Sequence, residues 1–254
     1  MASRFARGWR FVLAPSLAGA VLLGLAASRA DTADDVATAK SLAAMLRAAR
    51  TVVSRHQGEI NDPDVGDKGL TSDKMLAEAV AGYKQATGED PNAVDPTSKR
   101  GRLLRAQMDA IREVWDANQS TIDEKGLGFK GFIPSTFGRL VNESFERRAA
   151  GEASVKDTAP PDLVRNRKAE PDAWERQVIA QDFLSPNWPK GKEYSAVVES
   201  QGRTAFRMAV PEYYVPSCLS CHGEPKGDID VTGYPKEGGK AGDLGSVISI
   251  TLFR

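Results

Sequence analysis

Between residues 31 and 60 the apolar positions recur at steps of three, one and four. Leu42, Met45, Leu46, Ala49, Val52, Val53, His56 and Ile60 form one stripe, which is the period of an amphipathic helix. His56 lies on that stripe, whereas Lys40, Arg47, Arg50 and Arg55 make up a charged back. Pro63, Gly66 and Gly69 then break the helix within residues 61–69. A second helix is predicted from Thr71 or Ser72, carrying Met75, Leu76, Val80 and Tyr83. A third is predicted over residues 98–122, with Leu104, Met108, Ile111 and Trp115 on one side and a polar loop before it.

After residue 125 the pattern changes. A glycine-rich aromatic turn at residues 126–134 precedes a short helix over residues 135–145, and residues 159–175 read as extended and proline-punctuated. Pro171 as the first helical residue, with Asp172 and Glu175 in the first turn, suits a helix that turns Trp174, Val178, Ile179 and Phe183 inward. Residues 193–199 and 203–210 read as strands about a turn at Ser200, Gln201 and Gly202. The β-branched run at residues 246–253 predicts another strand. The fold class is therefore α+β, with long N-terminal helices beside a small antiparallel sheet.

Composition narrows the chemistry. The chain has 254 residues but only two cysteines and two histidines. That excludes a cysteine-rich scaffold, and a structural zinc site would use nearly every Cys and His present. The balanced charge, 34 basic against 34 acidic residues, argues against nucleic acid as a partner. The balance is partly set by the N-terminus, where residues 1–30 hold Arg4, Arg7, Arg10 and Arg29 and no acid. Without them, 30 basic residues face 34 acidic ones, a net charge of −4. This segment has the form of a secretory signal, with a basic start, an apolar run at residues 11–27, and Ser28 and Ala30 placed for cleavage before Asp31. The same run, left uncleaved, is at the short edge of a membrane anchor. Either way the rest of the chain is expected outside the cytoplasm, in the periplasm.

Both cysteines and one histidine fall within five positions, Cys218-Leu219-Ser220-Cys221-His222. C-x-x-C-H is the attachment signature of c-type haem. Two thiols with two residues between them add to the vinyl groups along one porphyrin edge, and the adjoining His222 ligates the iron from below. Covalent attachment takes place after export, so the motif and the signal segment support each other. Three other readings compete. A redox C-x-x-C pair would need a thioredoxin-like strand-then-helix setting, a disulfide over two residues is strained and leaves His222 unexplained, and zinc would need a fourth ligand.

For the iron's sixth position His56 is the candidate, being the only other histidine and lying on an apolar face. A hydrogen-bonded core histidine, a methionine ligand or an open site are the alternatives. Met75 and Met108 fit helical cores, Met45 shares the stripe of His56, and Met208 has a packing role beside Phe206 and Val210. Arg165 and Arg167 are candidates for pairing with haem propionates, or are solvated surface arginines. Trp174, Tyr213 and Tyr214 are candidates for packing on porphyrin, or are core. The seven glycines of residues 223–245 are expected to wrap a haem edge. Gly238-Gly239-Lys240-Ala241 fails the phosphate-loop pattern, which requires Ser or Thr after the lysine.

With these residues in place, the chain resembles a known group. SCLSCHGEP, the glycine-rich stretch and GDLGSVISITL are similar to the end of the PAS-like periplasmic c-type haem domain family. LVRNRKAEPDAWE resembles that family's Arg-Asn…Pro-Asp-x-Trp-Glu segment. The resemblance implies a PAS-like antiparallel sheet with long N-terminal helices, one covalently held haem c, and a single domain over residues 31–254. Residues 61–131 depart from shorter members as a helical insertion, which could cover the haem or meet a partner. Family members often take the distal ligand from the N-terminal helix, in some cases a cysteine, and this chain has no cysteine there. No kinase or methyl-accepting region follows Arg254, so a directly coupled receptor is not expected. The expected function is an exported monohaem c-type cytochrome in redox or gas sensing or in one-electron transfer. Its partner would be a redox protein or a membrane signalling or electron-transfer component. The alternative is a small periplasmic haem enzyme of peroxidase or nitrite-reductase type.

Overall fold

The computed structural model describes residues 18–254. Helix α1 (Ala18–Arg55) is followed by the single turn α2 (Gln57–Ile60), α3 (Ser72–Thr87), α4 (Lys99–Ile122) and α5 (Pro134–Arg148). The export segment expected at residues 1–30 lies for the most part outside the described residues. Among the described residues no helix is long and apolar enough to cross a membrane. The starts of α3 and α4 fall within one residue of expectation. The Thr71 hydroxyl accepts the Lys74 amide and the Ser98 hydroxyl accepts the Gly101 amide, each satisfying an otherwise orphaned N–H.

Four strands follow: β1 (Ala153–Thr158), β2 (Tyr194–Ser200), β3 (Arg203–Tyr213) and β4 (Leu244–Phe253). They form one antiparallel sheet in the order β1-β4-β3-β2. Gln201 and Gly202 both take positive φ, 54° and 73°, the requirement of the tight turn that matches strand twist. The short helix α6 (Ala173–Val178) precedes a π-helical turn at Ile179–Phe183. Its start differs from expectation by two residues. Ala173, not Pro171, is the first helical residue, and Asp172 caps it in a reciprocal box where Asp172 accepts the Glu175 amide and Glu175 accepts the Asp172 amide.

Period-two alternation places the two faces of the sheet. Phe206 and Met208 of β3, Ile248, Ile250 and Leu252 of β4, and Ala153 and Val155 of β1 share one core with α1, α3, α4 and α5. The whole stripe from Leu42 of α1 to Ile60 of α2 is buried in it or at its edge, including His56 between them. Residues 61–131 contribute Met75, Tyr83, Leu104 and Trp115 to this same core. On the opposite face Val178, Ile179 and Phe183 meet Ala209, Leu244 and Val247, with Trp174 and Trp188 beside them.

The charged back of α1 is not a solvent face. Arg50 donates to Asp157 of β1 at 2.9 Å and to Glu212 of β3 at 2.7 Å, while Arg47 pairs with Glu212 at 3.1 Å. Asp157 and Glu212 continue the inward alternation of their strands, so at this end of the sheet the helix–sheet seam becomes ionic. Burial would lower the Arg50 pKa, but Glu212 and Asp157 outweigh it and raise it. Burial likewise pushes the Asp157 carboxyl up, and Glu212 is held down by Arg50 and Arg47 against its own burial.

Candidate functional site

Beyond this ionic seam β3 runs out into Tyr214, which is tied to the start of β4 by exchange of backbone bonds with Asp243 and Gly242. Pro216–Cys218 then forms a 3-10 turn that runs directly into the single helical turn α7 (Leu219–His222). Pro216 begins this turn, where a missing N–H costs nothing. Cys218 and Cys221 are therefore three residues apart on one helical surface, facing the same way. Both thiols are free and half-buried. Glu212 of the seam lies near the end of β3, six residues before Cys218.

His222 is held on two sides. Its ring stacks on Tyr214 at 5.1 Å between centroids with 19° between planes. Its Nδ1 donates to Glu237 Oε2 at 2.9 Å. That bond fixes the tautomer and leaves Nε2 as the nitrogen with a lone pair, as in metal-ligating histidines whose other nitrogen is bonded to a carboxylate. Glu237 is bonded in turn by Arg165 Nε at 2.8 Å. The same guanidinium donates to Asp230 at 2.6 Å and to the Cys221 carbonyl at 2.9 Å. Burial would raise the Glu237 carboxyl, but the bonds from Arg165 and His222 keep it below its ordinary range. Burial also pushes the Tyr214 hydroxyl up to about 12, with Glu237 adding to the shift.

These residues fit a covalently held haem on three counts: paired thiols on one turn, an oriented imidazole with Nε2 free, and an uncovered apolar rim. Val215, Ile229, Val231 and Tyr234 flank the motif and are 45–67% exposed. Large apolar side chains left in water around one short turn suit a broad apolar face laid across them. The competing readings of the motif gain nothing comparable. Among the described residues no group of three or more His, Cys, Asp or Glu could hold a metal ion.

Other expectations change. Arg165 is neither a free propionate partner nor a solvated arginine, because three acceptors hold it within the motif's own support. Arg167 is exposed. Trp174 packs on Tyr194 and beneath Arg207, whose guanidinium is 4.3 Å from its ring centre. The Tyr213 hydroxyl accepts the Gly191 amide. The glycines at 239 and 245 clamp Tyr214: a Cβ there would lie 2.6 Å and 2.4 Å from its ring. Glycine at both positions therefore leaves room for the tyrosine that stacks on His222.

His56 has a carboxylate beside each ring nitrogen. Its Nδ1 is 2.8 Å from Glu59, and its Nε2 is 3.0 Å from Glu78 of α3. At 3.6 residues per turn, continuing the line of α1, it falls roughly 180° from Arg47, which pairs with Glu212 of β3. Met45, Met75, Met108 and Met208 are all buried in the helix–sheet core.

Glu237 and Asp230 were not singled out by the sequence, since nothing local marks their roles. Asp230 closes a small hairpin, accepting the Thr232 amide and hydroxyl, the Tyr234 amide and Arg165. Burial would raise its carboxyl, but the bonds from Thr232, Arg165 and Tyr234 outweigh that and hold it well below the usual range. A carboxyl depressed on folding stabilises the fold above its unfolded pKa of about 3.9, and that contribution is lost as pH falls through the folded value. Asp230→Asn is thus expected to cost about 1–3 kcal/mol at neutral pH, and progressively less below about pH 4. Urea midpoints at pH 7 and pH 3 check this; an equal loss at both would refute it.

A family model described as Tll0287-like matches residues 30–252 of the chain. No curated protein and no solved structure matches it.

Proposed function

Because the chain belongs to the Tll0287-like family of periplasmic c-type haem domains, we propose that it is an exported monohaem c-type protein acting as a redox and gas sensor. Cys218 and Cys221 would hold the haem through their thiols, and His222 would ligate its iron through Nε2. Bound there, the haem supplies a one-electron iron centre. Glu237 orients the imidazole, and Tyr214 backs it. Residues 31–254 act as one haem domain.

The observation that carries the sensing reading is the placement of His56. An imidazole with one nitrogen on Glu59 and the other on Glu78 has to break a carboxylate bond before it can ligate iron. The core methionines would have to leave packed positions. With His56 and the methionines so engaged, a bound haem would have its sixth position left to water or an exogenous ligand, which favours sensing over pure electron transfer.

The test is an anaerobic ferrous spectrum with and without CO, beside low-temperature EPR of the ferric protein. Fast CO binding and a water-type signal are expected, both unchanged in His56→Gln. A low-spin bis-histidine signal in the wild type, lost in His56→Gln, would restore His56 as the distal ligand and favour electron transfer. A second reading, a small haem enzyme, has one feature in its favour, the Glu237 carboxylate on the proximal histidine. Peroxidatic turnover well above that of free haem would establish it.

A further inference from the structure

Resting on the haem reading above, we propose that Glu237 is a positioning residue whose charge biases the iron towards the ferric state, with Arg165 limiting how much of that charge reaches His222. The histidine N–H opposite a metal is bonded to a carboxylate, a backbone carbonyl or water, and the partner sets how basic the ligating nitrogen is. Here the partner is a full carboxylate at 2.9 Å whose side chain is only 16% exposed. Solvent therefore screens it less than it would a surface charge. A more electron-rich imidazole stabilises Fe(III) over Fe(II). The couple is the iron taking one electron from a one-electron donor. The Nδ1 proton stays on His222 in both oxidation states, so no atom changes hands.

Arg165 opposes this effect. Its Nε occupies the other Glu237 oxygen at 2.8 Å, and its Nη2 holds the carbonyl of Cys221, one of the two tethering positions. Ligand, carboxylate, guanidinium and tether backbone thus form one bonded chain. Asp230, on Arg165 Nη1 at 2.6 Å, shares the guanidinium's charge. Removing the Glu237 charge and removing Arg165 should consequently move the potential in opposite directions. A purely orienting role predicts no such opposition.

The experiment is a potentiometric titration of the periplasmically matured full chain, read optically, for wild type, Glu237→Gln, Arg165→Gln and Arg165→Lys. Glutamine keeps an acceptor oxygen in place and removes the charge. At a fixed ambient potential the ferrous-to-ferric ratio is expected to rise about tenfold in Glu237→Gln, a shift of about 59 mV for one electron. It should fall in Arg165→Gln and return towards wild type in Arg165→Lys. A haem-loaded Glu237→Gln with an unmoved potential overturns this inference and leaves the haem reading standing. Should that variant load no haem, a rise or no change in Arg165→Gln overturns it instead. A wild-type chain without covalent haem overturns both.

Discussion

The double variant Cys218→Ser/Cys221→Ser is expected to leave the exported protein with no haem that survives denaturation and acid extraction. A thioether is the only bond that resists that treatment, and these are the only two thiols in the chain. Neither cysteine belongs to a core cluster, and serine is nearly isosteric, so the fold should be unchanged. The single variants should each keep one attachment point and load poorly. Ser220→Ala is the control: Ser220 lies between the cysteines, is exposed, and bonds only the Ser217 carbonyl and, weakly, the Cys221 sulfur. It should load haem as wild type does. The readout is a pyridine haemochrome of the denatured protein, with circular dichroism for the fold. Covalent haem retained in the double variant would sink the assignment of the motif.

The second large effect is on stability and lies away from the Cys218–His222 motif. Glu175→Ala is expected to cost about 3–5 kcal/mol, the range for removing one partner of a buried ion pair. Glu175 is 2% exposed and accepts from Arg207 at 3.0 Å, from Lys156 at 2.9 Å and from the Asp172 amide at 2.8 Å. Its loss leaves Arg207, itself 6% exposed, with the solvent-facing Asp172, the Ser249 hydroxyl and the face of Trp174. Glu175→Gln keeps the shape and part of the bonding and should cost less. Urea unfolding followed by tryptophan fluorescence measures both. A loss below about 1 kcal/mol in the alanine variant would place Glu175 among ordinary surface pairs.

This network explains the Pro-Asp-x-Trp-Glu segment that carried part of the family resemblance. Asp172 caps α6, Trp174 lies against Arg207, and Glu175 pairs with it across the face of the sheet opposite the long helices. The segment is a clasp on the sheet. Sequence reading had Trp174 as a candidate for porphyrin packing because an aromatic residue beside a haem motif fits that role. Its actual contacts come from Arg207 and Tyr194, 33 and 20 positions later in the chain.

What the sequence determined by itself is what short-range chemistry controls. The caps of α3 and α4, the stripe of α1, the turn at Gln201 and Gly202, and the thiols and imidazole of Cys218, Cys221 and His222 involve partners within a few residues. Spacing alone is enough for these. Strand β1 escaped notice because Ser154, Lys156 and Asp157 carry little β-propensity. Only pairing with β4, nearly a hundred positions away, makes a strand of it.

The tertiary structure decided which groups meet across such separations. Glu237 reaches His222 because the glycine-rich loop folds back over Tyr214, and Arg165 reaches both from a different part of the chain. His56 illustrates the limit most clearly. Its place on an apolar stripe was legible from periodicity, but α3 brings Glu78 against it, and no local pattern announces a carboxylate from 22 residues away. Burial follows from the order of residues along one helix, whereas the partner of a buried polar group follows from how helices and strands pack against one another.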